Sequence, residues 1–212
     1  MYLPASFRET ERGALFALIR ACPLGTLVTS GQNGLEASPV PFLVYPEEGQ
    51  HGVLRAHLAR ANPHWRQLDA ATECLIIFNG ADAYVTPSWY PSKAQTHKAV
   101  PTWNYASVHV RGKPVVMDDA DWLLRQISQL TNTHEARRST PWAVSDAPAD
   151  YLAAQMKAII GIEIAITQIE GKWKMSQNKD AADRAGVVAG MGDAADPHCN
   201  PAVAAEVAAR SA

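Results

Sequence analysis

The stretch Arg55-Ala56-His57-Leu58-Ala59-Arg60-Ala61-Asn62-Pro63 sets two arginines and a histidine just ahead of an Asn-Pro pair. Asn is a favoured N-cap and Pro a favoured first helical residue, so this reads as a basic strand running into a capped helix. A helix start offers free backbone N–H groups and the positive end of the dipole, which together favour an anion. Arg60 could grip a phosphate with two N–H groups at once. The same residues also read as an ordinary strand-to-helix link with a solvated arginine.

Two further stretches could serve a flat, charged ligand. Thr102-Trp103-Asn104-Tyr105 places an indole and a phenol, which can cover a heteroaromatic ring, around an amide that can pair with its edge. It equally reads as a packed loop anchor. Lys172-Trp173-Lys174-Met175-Ser176-Gln177-Asn178-Lys179 gathers a ring, two amides and three ammonium groups within one short run. That set suits an anionic planar ligand better than an apolar one, or else a solvated strand end.

Other chemistries lack their signatures. The seven histidines form no HExxH or other metal spacing, and His134-Glu135 falls at a helix end where the dipole favours a cation. No GxSxG supports a serine nucleophile and no GxGxxG supports a Rossmann fold. Cys22, Cys74 and Cys199 are odd in number and far apart, against a disulfide framework. The formal net charge of −2 gives no electrostatic footprint for DNA. No apolar run approaches the length of a membrane span and no signal peptide is evident, so the expected setting is the cytoplasm.

The elements that must position these residues follow from spacing. Leu15, Phe16, Leu18 and Ile19 form the apolar face of a helix to about Ala21. A meander follows, with Asn33-Gly34 as its hairpin signal. Pro39 and Pro41 demote the returning strand to an edge or a bulge. ECLIIFNG reads as a buried strand and AYVTP as the start of another; residues 87–105 read as a long aromatic loop. Residues 118–135 and 147–158 read as helices. Ile160, Ile162, Ile164 and Ile166 alternate as one buried strand face. Residues 180–191 can form a short helix. The whole reads as about seven strands in a mainly β, α+β domain over 1–191, an antiparallel barrel with helices outside, and a mobile, in part helical, tail over 192–212.

Taken in order, MYLPASF, HLARANPHW, FNGADAYVTPSWYPSK, VPTWNYASVHVRG, IGIEIAITQIEGKWKMSQNK and DRAGVVAG resemble the PaiB-like family of FMN-binding negative transcriptional regulators, over residues 1 to about 191. The resemblance implies an antiparallel split β-barrel homodimer with FMN held at the dimer interface. It implies phosphate contacts at Arg55, Ala56, His57, Arg60 and Asn62. It also implies a flavin ring lined by Ser38, Pro39 and Val40, with Trp173, Gln177 and Asn178 at the end of the last strand, of the same or the partner subunit; Trp103 and Asn104 join the site on their ring and amide chemistry alone. Oxidase-like relatives carry a basic residue where this chain has Glu36. The resemblance implies repression; a flavin oxidoreductase, with His57 and Tyr105 as candidate acid–base groups, and a haem-binding split barrel are the alternatives. Neither charge nor a recognisable motif supports direct DNA contact.

Overall fold

The computed structural model describes residues 1–31, 34–68 and 73–210. Among them are β1 (Arg8–Glu9), α1 (Arg12–Ala21), β2 (Leu24–Gly31), β3 (Gly34–Pro41), β4 (Leu43–Tyr45), β5 (Val53–Ala59), α2 (His64–Leu68) and β6 (Cys74–Val85). The chain continues with α3 (Ser92–Thr96), β7 (Thr102–Met117), α4 (Ala120–Glu135), α5 (Ala149–Lys157), β8 (Ile159–Lys174), α6 (Ala181–Gly192) and α7 (Pro201–Ala209). The eight strands pair in the order β3-β2-β6-β7-β8-β5-β4, with β1 paired to β8 off this path. The described pairs are antiparallel, as hairpin-rich connections favour.

The chain divides into two compact units. One comprises Ile19–Phe78 and His109–Ile169. Here β2 and β3 pair from Leu24↔Pro41 to Gly31↔Gly34; the hairpin residue Asn33 lies outside the described residues. β3 closes the sheet as an edge strand, as Pro39 and Pro41 require, since neither can donate to a ladder. β5 pairs with β8 from Val53↔Ala165 to Ala59↔Ile159. Ile160, Ile162 and Ile164 are fully buried, each contributing roughly 1.5–3 kcal/mol. Phe42 and Phe78 pack edge to face at 5.7 Å.

The other unit comprises Met1–Leu18, Asn79–Val108 and Glu170–Ala212. β1 pairs with β8 through Arg8↔Lys172 and Glu9↔Gly171. Two readings of the sequence change here. The strands expected on either side of Asn79-Gly80 are one strand, β6: Gly80 does not break it but admits neighbours, since a Cβ there would lie 3.0 Å from Leu18 Cδ1 and 3.2 Å from Ala106 Cβ. The loop expected over 87–105 ends early, because the period-2 burial of Val108 already begins at Asn104 and Ala106; it also holds α3. The helical part of the C-terminal segment is α7, started by Asn200, whose side chain accepts from Val203 N, and by Pro201. Val203 and Val207 are fully buried.

Candidate functional site

The β5–α2 corner is built from side chains remote in sequence. Asn62 Oδ1 accepts from His64 N at 3.0 Å and starts α2, as its position before Pro63 implies. Asn62 Nδ2 donates to Ser38 Oγ on β3 at 3.4 Å. His64 is fully buried, with Nδ1 2.9 Å from Ser38 Oγ and Nε2 2.8 Å from Thr29 Oγ1. A neutral imidazole can donate at one nitrogen and accept at the other, so both hydroxyls are served. Burial lowers the His64 pKa, with Glu36 opposing, and this favours the neutral ring. The fold therefore joins the β3 segment, Ser38 to Val40, to the Asn62 corner. His64 had no role in the sequence reading; only the position of β2 and β3 reveals it.

Arg60 leaves the same corner towards solvent. Its Nε donates to Lys157 O at 3.0 Å, and its terminal nitrogens donate to both Asp118 oxygens at 2.9 and 2.6 Å. The hydrogen bond to Arg60 holds the Asp118 carboxyl below its usual range. The pair is exposed, and such pairs are weak. Arg60 also borders an apolar groove of ≈ 480 Å³ whose walls include Leu123, Leu152 and Met156.

Arg55 and His57 face elsewhere. Alternation along β5 points them at α4, while Ala56 is buried opposite Ile162. Arg55 donates from Nε to Glu163 at 2.7 Å and from both terminal nitrogens to Glu48, and it lies 4.4 Å from the Tyr45 ring centroid. Burial opposes its charge, but the two carboxylates outweigh this and raise its pKa. His57 Nδ1 donates to Gln126 Oε1 at 2.8 Å.

The remaining candidates lie in the other unit. Asn104 is fully buried and exchanges hydrogen bonds with Ser176 Oγ at 3.0 and 3.3 Å. Ser176 holds a left-handed φ of 63°, an uncommon state for a non-glycine residue. Asn104, Ser176 and Asn178 line a cleft of ≈ 160 Å³ with Lys174 and Lys179. Lys174 Nζ donates to Trp103 O at 2.6 Å and to Thr102 Oγ1. Burial lowers its pKa, and the charges of Lys172 and Lys179 lower it further. Trp103 is half exposed and donates to Asp82 at 2.8 Å. Trp173 is buried and donates to Glu206, while Gln177 is turned inward onto Met175 N and Trp173 O.

The comparisons agree on family and fold. An uncharacterized protein of Emericella nidulans is 38% identical over 226 residues, covering 90% of this chain and 90% of its own. The "Protease synthase and sporulation protein PAI 2" of Bacillus subtilis is 29% identical over 198 residues, covering 93% of this chain and 92% of its own. Among solved structures, the FAD and heme binding protein from Mycobacterium smegmatis superposes with a TM-score of 0.56 at 20% identity, over 79% of this chain and 73% of that one. That likeness shows the fold, an antiparallel split barrel with flanking helices. No helix among the described residues is long and apolar enough to cross a membrane. The family model described as "Putative FMN-binding domain" matches residues 1–168, and the chain belongs to that family.

Proposed function

We propose that the chain is an FMN-binding negative transcriptional regulator of the PaiB type that holds its flavin between two copies. The observation that carries the ligand assignment is the contact of Asn62 with Ser38, which joins an edge strand to a basic helix start. The donor set fits a phosphate-bearing flavin. Arg60 keeps two N–H groups beyond those given to Asp118 and Lys157, and Asn62 adds an amide. Arg60 and Asn62 would hold the phosphate. The outer edge of β3 at Ser38, Pro39 and Val40 would line the ring with backbone groups, Val40 offering nothing else because its side chain is buried. Bound flavin supplies one- or two-electron redox chemistry. The chain's own contribution is orientation: His64 fixes Ser38 and Thr29 from beneath without adding charge.

In a homodimer, the cationic cleft at Lys174, Lys179, Asn104 and Asn178 would meet the flavin of the second copy, with Trp103 at its rim. The Bacillus subtilis relative is named a protease synthase and sporulation protein, and that name supports the regulatory part. Ligand-linked regulation requires unequal affinity of the flavin for two states of the protein.

The test is a titration of the purified protein with FMN and FAD, followed by absorbance at about 450 nm and by sedimentation. FMN binding tighter than FAD, with two flavins per dimer, is the expected result. A monomer that binds flavin overturns the interface, and absence of binding overturns the assignment. A gel shift with promoter DNA that weakens steeply with salt supports direct repression; no shift at low salt excludes it.

A further inference from the structure

The groove between α4 and strands β4–β5 carries chemistry that the flavin reading leaves unused. α4 turns Gln126 towards β5 and Gln129 towards β4. Burying an amide is costly unless both of its ends are satisfied. Gln126 is 1% exposed. Its Oε1 accepts from His57, but its Nε2 has no hydrogen-bond partner among the described residues. This amide lines a cavity of ≈ 200 Å³ with Arg55, Trp122, Arg125 and Gln129.

Gln129, whose Oε1 accepts from Tyr45 Oη, also lines a second cleft of ≈ 530 Å³. That cleft carries Arg20, His134 and Arg137, and no carboxylate side chain lines it. The two lobes meet at Gln129. Arg55 is neutralised by Glu48 and Glu163. Arg20, Arg125 and Arg137 have no ion-pair partner among the described residues. The groove thus has a cation at each end and amides between them, and one of those amides, Gln126, holds a buried donor without a partner among the described residues.

We infer that this groove binds a second ligand, a small organic dianion of the dicarboxylate class. One carboxylate meets Arg125 beside the Gln126 side chain in the inner lobe, and the other meets Arg20 and Arg137 in the outer lobe. The inner lobe lies below the roughly 300 Å³ at which sites for drug-sized ligands begin, so it takes a carboxylate end and not a tricyclic ring. The site is independent of the flavin corner at Ser38 and Asn62.

The experiment is thermal unfolding and isothermal titration of the full-length protein as purified. Succinate, malate and 2-oxoglutarate are the probes, with acetate and inorganic phosphate as controls. At least one dicarboxylate is expected to raise Tm saturably while acetate and phosphate do not. Arg125→Ala and Arg137→Ala should each weaken binding by about ten-fold or more, and Gln126→Leu, which alters the wall of the inner lobe, should weaken it too. FMN affinity should be unchanged in Arg125→Ala. If Gln126→Leu does not fold, the two exposed arginine variants still decide the matter. Lack of response to every dicarboxylate, or a response that both arginine variants retain, overturns the proposal. An equal response to phosphate overturns the two-ended assignment. Loss of FMN affinity in Arg125→Ala makes the groove part of the flavin site and overturns its independence.

Discussion

Trp173 Nε1 donates to the Glu206 carboxylate at 3.1 Å, so a ring that the sequence offers to a ligand is held by the C-terminal helix instead. Arg210 lies 5.0 Å from the centroid of the same ring. Val203 and Val207 of α7 are fully buried, and burial of two valines contributes about 3 kcal/mol or more. Deleting residues 200–212 should therefore lower Tm by several degrees. It should also shift Trp173 emission to the red, read as the difference between the truncated protein and its Trp173→Phe variant. Unchanged emission after truncation means that α7 does not cover the ring.

His64 links stability to pH. Its folded pKa lies below the unfolded value of about 6.5 because the ring is buried. Between those two values the unfolded chain binds the extra proton and the folded chain does not, so stability rises with pH there. Stability should be level with respect to this group above about pH 6.5 and fall as the pH drops below it, by at most about 1.4 kcal/mol per pH unit. Urea unfolding at a series of pH values, for the parent and for His64→Gln, measures the contribution as a difference. Parallel curves for the two proteins exclude His64 as the source.

Asp118 competes with any phosphate for Arg60. The pair is exposed, so breaking it should hardly change Tm. Asp118→Asn should tighten FMN binding, while Arg60→Ala should weaken it by roughly ten-fold or more. Opposite signs in a fluorescence-quenching titration are the expected pattern. If both variants bind FMN as the parent does, the phosphate lies elsewhere.

The sequence made some of this arrangement readable and hid the rest for physical reasons. Strict alternation exposed the buried face of β8, because Ile160, Ile162 and Ile164 have only one apolar side to fill. Two prolines marked the edge strand, since a missing N–H is a local property. Asn62-Pro63 marked a helix start, and Asn200-Pro201 carries the same signal in a stretch whose small residues suggested a tail. Gly80 misled because glycine serves both for turns and for close approach, and only the neighbours Leu18 and Ala106 distinguish the two. The partners that decide availability at the site were not legible. Asp118 lies 58 residues from Arg60, and Gln126 lies 69 from His57.

Cys74 should be inert. Its Sγ donates to Gly112 O at 3.3 Å, and burial pushes the thiol pKa up to about 12. Thiolate is the reactive form, so at pH 8 this residue offers almost none. Cys22 and Cys199 are only partly covered. A thiol assay with a disulfide reagent should count two fast groups in the native protein and a third after unfolding. Three fast thiols in the native protein would mean that β6 opens readily at Cys74.

One chemical change should act with opposite signs at two helical glycines. A Cβ at Gly186 in α6 would lie 2.0 Å from the backbone oxygen of Trp89, which cannot rotate away. Gly186→Ala gains the helix propensity of alanine but must push α6 off that oxygen, and overpacking of this kind costs about 1–3 kcal/mol. At Gly13 in α1 a Cβ would meet nothing within 4 Å, and the position is exposed. Gly13→Ala should therefore stabilise by about 0.5–1 kcal/mol through propensity alone. Calorimetry should show Tm falling in the first variant and rising in the second. A rise in both would mean that Trp89 and α6 do not approach as closely as their packing requires.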